Sequence, residues 1–208
     1  MNSLSYKHYE FFILFVLIPA SFAIDFSVWI KMVLGAFGFL YVVYILLKVE
    51  KEKFIIVNNI NWKLFWIETL VKLSIIASIT ILFVYISNLE LLFVVIKNNP
   101  KLWFIILFVY SFFSVYPQEI IYRTFFFKRY RDIFKNSRTL ILVNAMLFSW
   151  AHIFFKNSLV MILTFLGGIL FAITFKKTQS TLLVSIEHAV YGCWLFTVGM
   201  GSMLGFPT

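Results

Sequence analysis

Residues Leu102 to Phe127 read LWFIILFVYSFFSVYPQEIIYRTFFF, a run in which Glu119 and Arg123 are the only formal charges. A helix crosses the hydrocarbon core of a bilayer with about 20 apolar residues. A surface helix of a soluble protein would alternate an apolar stripe with a polar face. This run is apolar on every side, so it reads as a membrane span with an acid and a base inside it. The whole chain agrees, with 62% hydrophobic, 21% aromatic and 13% charged residues and a mean hydropathy of +0.94. Soluble domains carry roughly 25% charged residues, and a soluble fold of this composition would expose large apolar patches.

Further apolar blocks lie at 11–29, 32–47, 64–87, 139–155, 159–175 and 181–206. Together with 102–127 they describe an all-α, polytopic transmembrane bundle of about seven spans. Leu89 to Ile96 is too short to span; Asn98, Asn99 and Pro100 end it, as expected of an interfacial or re-entrant turn. No Gly/Ser/Pro-rich linker interrupts the blocks, which implies one integrated domain. The first block, Phe11 to Ile24, has Lys7 as its only firm positive charge ahead and no small-residue cleavage site behind. It reads as a retained helix rather than a signal peptide. Cys193 is the sole cysteine, so an internal disulfide and a cysteine-based zinc site are both excluded.

The net charge of +9 does not point to nucleic acid, because the basic residues sit in short clusters between apolar blocks. With the amino terminus inside, twelve basic residues fall on inner segments: Lys7, Lys48, Lys51, Lys53, Lys63, Lys128, Arg129, Arg131, Lys135, Arg138, Lys176 and Lys177. Lys31, Lys97, Lys101 and Lys156 fall outside, and Lys72 and Arg123 lie within spans. The imbalance orients the chain amino terminus in and carboxyl terminus out. Glu68 and Lys72, four residues apart on one helix, are expected to neutralise each other. Glu187 and Asp25, near span ends, are expected at the interface.

Ionisable groups within a bilayer are costly, so they pair or serve a function. Arg123 shares a helical face with Glu119 and can reach back to its carboxylate, while Gln118 points about 100° away. His152 lies in the 139–155 block and His188 in the last. At 1.5 Å per residue, Glu119 lies roughly 13 Å from Lys128, His188 about 10 Å from Thr181 and His152 about 20 Å from Thr139. With the orientation above, all three depths run from the cytoplasmic side, which predicts one water-filled pocket opening inward. Each group also has a plain packing role open to it: an ion pair between helices, or a histidine bonded to a backbone carbonyl.

Three segments carry a family resemblance: Gln118-Glu119-Ile120-Ile121-Tyr122-Arg123, Phe148-Ser149-Trp150-Ala151-His152 and His188-Ala189-Val190-Tyr191-Gly192. In order and spacing they resemble the motifs Glu-Glu-x-x-x-Arg, Phe-x-x-x-His and His-x-x-x-Asn of the CAAX protease and bacteriocin-processing family. That family includes the type II CAAX prenyl endopeptidases. The resemblance covers roughly residues 110 to 205, making 101–208 a protease-like helical core and 1–100 amino-terminal membrane helices. It implies an intramembrane endopeptidase, in the plasma membrane of a bacterium, acting on a peptide or membrane-protein substrate. It implies that a glutamate and His152 activate a water, that His188 donates to the oxyanion, and that Arg123 orients the carboxylate.

Two positions depart from the pattern. Gln118 stands where the family has its usual base, so Glu119 must take that role. Gly192 stands where the family has an asparagine donor, a loss typically worth about 10²- to 10³-fold in rate. A zinc site would draw on Glu119, His152 and His188 with a fourth position open. No His-Glu-x-x-His motif is present, and the metal-free reading stands ahead. The alternatives are a catalytically silent relative that binds a membrane partner, and a small transporter using the buried charges as an ion path.

Overall fold

In the computed structural model, residues 3–52 and 60–205 are described; Lys53, counted above on the inner side, and residue 206, the expected end of the last span, lie outside them. The described residues form helices and no strands. We number the helices α1 (4–22), α2 (Val28–Val49), α3 (Trp62–Ser87), α4 (Val94–Asn98), α5 (Pro100–Arg129), α6 (Ser137–Trp150), α7 (Ser158–Thr178) and α8 (Thr181–Val198). Six of them, α2, α3 and α5 to α8 (α6 taken with its continuation to Phe155), are long and apolar enough to cross a membrane. The chain is thus a polytopic helical membrane protein. Helix α1, which covers the first expected block, is not among these six; Lys7, His8 and Glu10 lie in its first half.

The first two boundaries move. The block expected at 11–29 is helical over 4–22, and the one expected at 32–47 runs from Val28 to Val49. Asp25 lies in the break between them, exposed and 3.3 Å from Lys156. The breaks elsewhere follow from polar caps placed between apolar runs. Asn61, Asn99, Asn136, Asn157 and Ser180 each accept a hydrogen bond from a backbone N–H in the first turn of α3, α5, α6, α7 and α8 respectively. Such caps satisfy donors that would otherwise be stranded at the helix start. Outward faces are apolar, as lipid requires: Trp29, Phe37 and Leu40 on α2 and Ile75, Ile79 and Leu82 on α3 are all exposed.

The helices group into two compact units, and the division passes through α5. One comprises Met1–Ile56 and Gln118–Gln179, the other Val57–Pro117 and Ser180–Thr208. In the first unit, α6 and α7 form a close hairpin. A Cβ built on Gly168 would lie 3.0 Å from the Cα of Ala145, so a side chain there would require α6 to give by a few tenths of an ångström. The indole N–H of Trp150 donates to the Val16 carbonyl at 3.1 Å, tying α6 to the π-helical turn Ile13–Leu17 of α1.

A charged clasp closes one end of this unit. Arg129, fully buried, donates to Glu10 at 2.7 Å and to Glu50 at 2.8 Å. Tyr130 donates to Glu10 at 3.1 Å, Tyr41 also bonds Glu10, and Lys128 pairs with Glu52. Burial and the Glu10 carboxylate push the Tyr130 hydroxyl above its ordinary range, so it remains a donor. The clasp joins the amino-terminal segment, the end of α2 and the end of α5, which the charge count put on one side. The Lys156–Asp25 pair joins two breaks expected on the opposite side.

In the second unit, the short segment after α3 folds back on α8. The Phe93 N–H donates to the Val198 carbonyl at 3.4 Å. Val95 packs into a buried cluster with Ile106 and Phe196. Trp194 donates to the Thr80 hydroxyl at 2.9 Å and fastens α8 to α3.

Removing one member of a buried ion pair costs roughly 3–5 kcal/mol, because the remaining charge is left without compensation. Arg129→Met is therefore expected to lower the melting temperature of the detergent-solubilised protein by on the order of 10 °C. Lys156→Met, which touches only an exposed pair, should leave it within a degree or two.

Candidate active site

Helix α5 carries the first motif through an irregular stretch. Proline has no N–H to donate and disturbs the regular ladder of a helix. Around Pro117 the helix widens into π turns at Tyr110–Val115 and Ile120–Phe125, with one α turn, Tyr116–Glu119, between them. Such bulges recur at functional sites. Glu119 sits where the second π turn begins, and Arg123 lies within it.

Both side chains are fully buried, with Arg123 Nε 3.3 Å from Glu119 Oε2. The expected i,i+4 pair is present. A residue absent from the sequence reading completes it: Asn144 of α6, also fully buried, accepts from Arg123 Nη1 at 2.7 Å. Its amide donates in turn to the Tyr122 carbonyl at 2.5 Å. The guanidinium lies over the Phe148 ring at 4.8 Å and near Phe171 at 5.8 Å. A desolvated cation over an aromatic face gains about 2 kcal/mol. Arg123 is thus fixed on several sides, and it fixes Glu119.

His152 is not on α6 itself. It occupies the turn that follows, with φ −97° and ψ 7°, because the helix ends at Trp150. Its Nδ1 lies 2.7 Å from the Phe148 carbonyl. A carbonyl can only accept, so Nδ1 carries the hydrogen and the neutral ring keeps its lone pair on Nε2. The imidazole packs at 4.9 Å against Phe148, the ring that also supports Arg123. The motif phenylalanine therefore has a mechanical role. It orients the histidine through its carbonyl and the arginine through its ring.

His188 and Gly192 belong to the second unit. His188, largely buried on α8, has Nε2 3.1 Å from the hydroxyl of Tyr110 on α5. One turn further, a Cβ on Gly192 would lie 2.1 Å from that same hydroxyl oxygen. Tyr110 fills the space that a side chain at 192 would need.

Two expectations in this unit are corrected. Glu187 is not interfacial but fully buried, with its Oε1 accepting from Lys72 at 2.7 Å and from Tyr191 at 3.0 Å. Lys72, expected to pair with Glu68, is the counter-charge of Glu187, because a carboxylate without water draws the nearest ammonium. Among the described residues no three His, Cys, Asp or Glu side chains are grouped as metal ligands would be.

Asn144 had a legible signal. It lies four residues before Phe148, on the same face of α6. Tyr110 had none, because its partners are 78 residues and more away in sequence.

Residues 100–194 match the family described as type II CAAX prenyl endopeptidase Rce1-like. The matched segment contains Glu119, Arg123, Asn144, His152, His188 and Gly192. No curated protein and no solved structure matches the chain.

Losing one partner of a buried hydrogen-bonded group costs about 1–3 kcal/mol. Asn144→Leu is accordingly expected to lower thermal stability in detergent by several degrees. An unchanged melting temperature would mean that Asn144 does not hold Arg123.

Proposed function

With residues 100–194 belonging to the type II CAAX prenyl endopeptidase-like family, we propose that the chain is an intramembrane, glutamate-type endopeptidase. It hydrolyses a peptide bond in a membrane-associated protein or peptide, approached from the cytoplasmic side. The observation that carries this reading is the family match over the segment that holds all three motifs. The buried Glu119–Arg123–Asn144 arrangement supports it, since a carboxylate fixed this firmly is pre-positioned rather than merely neutralised.

In this reading Glu119 and the Nε2 of His152 hold a water, and its proton passes to the carboxylate. The oxygen adds to the peptide carbonyl carbon, and the carbonyl oxygen takes the charge. His188 donates to that oxygen. When the tetrahedral centre collapses, the carbon–nitrogen bond breaks, and the amine leaves with the proton that Glu119 had taken. Arg123 orients the carboxylate throughout. No step runs through a metal.

A second reading has one specific observation in its favour: Gln118 stands at the family's usual base, and a glutamine accepts no proton. In that case the chain is a silent relative that binds a membrane partner.

The test is cleavage of a quenched peptide reporter, prenylated and unprenylated, by protein reconstituted in liposomes. General acid–base groups contribute about 10²- to 10⁴-fold. Glu119→Ala and His152→Ala are expected to lower kcat by at least about 10²-fold, with the melting temperature as a check on folding. Full activity of Glu119→Ala would refute the base assignment. A wild type that is inert while Gln118→Glu cleaves would establish the silent reading.

A further inference from the structure

His188, Gly192 and Phe196 are spaced four residues apart and form one stripe along α8. Tyr110 lies along that stripe. Its ring packs edge-on against Phe196, with centroids 4.8 Å apart and planes at 76°, and against His188 at 6.1 Å and 81°. Its hydroxyl is 3.1 Å from His188 Nε2. The seat exists because residue 192 has no side chain. A Cβ there would meet Tyr110 Oη at 2.1 Å, Cε1 at 2.3 Å and Cζ at 2.5 Å, so any other residue expels the ring.

Gly192 has a φ outside the left-handed region and sits mid-helix, where glycine costs about 1 kcal/mol relative to alanine. Backbone geometry therefore does not call for it. The notch it makes is filled by a phenol whose polar end meets His188. A phenol lodged in an apolar bundle only for packing would be served as well by phenylalanine.

We propose that Tyr110 is a catalytic hydrogen-bond donor: its O–H, held by His188 through the gap at Gly192, donates to the carbonyl oxygen as negative charge develops there. The inference rests on the peptidase reading. It makes Gly192 the partner of a relocated donor rather than a lost one. His188 then donates its Nε2–H to the Tyr110 oxygen, and the Tyr110 O–H, polarised by that bond, makes the contact to the carbonyl oxygen that the mechanism above gave to His188.

The reporter assay in liposomes tests this with four proteins. Tyr110→Phe keeps the ring and removes only the hydroxyl. It is expected to lower kcat by about 10²-fold while KM stays within about twofold, the pattern of a bond made in the transition state. Gly192→Ala should do likewise, by expelling the ring. Tyr110→Ala should be at least as impaired, and adding Gly192→Asn to it should recover part of kcat, because an amide donor then occupies the emptied space. Wild-type kcat in Tyr110→Phe, alongside an inactive Glu119→Ala, overturns the donor role and leaves the peptidase reading intact. Equal kcat in Tyr110→Ala with and without Gly192→Asn, both folded, also counts against it. If neither wild type nor Gln118→Glu cleaves above Glu119→Ala, the peptidase reading fails and the donor role falls with it.

Discussion

A carboxylate buried among apolar side chains must have its charge matched at contact distance, because the surroundings screen it far less than water would. Glu119 and Arg123, both without solvent exposure and 3.3 Å apart, meet that condition within a single helix. Several buried groups of the first unit are arranged around them. Asn144 takes one guanidinium nitrogen, Phe148 takes the cation's face, and the Phe148 carbonyl takes His152. The same rule recurs where Glu10 meets Arg129 and where Glu187 meets Lys72. Buried ion pairs are weak stabilisers, and apolar replacements of equal volume often do as well. An ion pair set at a π turn, with its cation held by an amide and an aromatic face, fits the positioned carboxylate of the proposed mechanism.

In the second unit, shape has the larger part. One missing side chain on α8 lets a tyrosine from α5 bring its hydroxyl to His188. A position that reads in the sequence as the loss of a polar group is, in space, the opening through which another polar group enters. Read this way, the departure at Gly192 belongs with a working site. In the proposed mechanism the departure at Gln118 leaves the base role to Glu119, whose carboxylate is paired with Arg123.

Much of this was legible in the chain. Composition and block lengths gave the polytopic helical class, because hydrophobicity over about 20 residues is a strong local signal. The Glu119–Arg123 pair followed from spacing, since i and i+4 meet on any helix. Boundaries were less secure: Asp25 seemed to interrupt one span, while the chain breaks there between two helices. Glu187 was misjudged because nearness to a helix end says nothing of what packs beside it. Its counter-charge, Lys72, is 115 residues away. Tyr110 was invisible for the same reason, because no pattern along the chain joins residue 110 to residue 192.

On the proposed mechanism, water activated at Glu119 cleaves a peptide bond. A single turnover of the reconstituted protein on a membrane peptide in ¹⁸O-enriched water, read by mass spectrometry, follows that oxygen. One solvent oxygen is expected in each new carboxyl terminus, formed at a rate that Glu119→Gln abolishes, with no covalent adduct on the protein. A trapped acyl-enzyme, or equal label incorporation by Glu119→Gln, would contradict it.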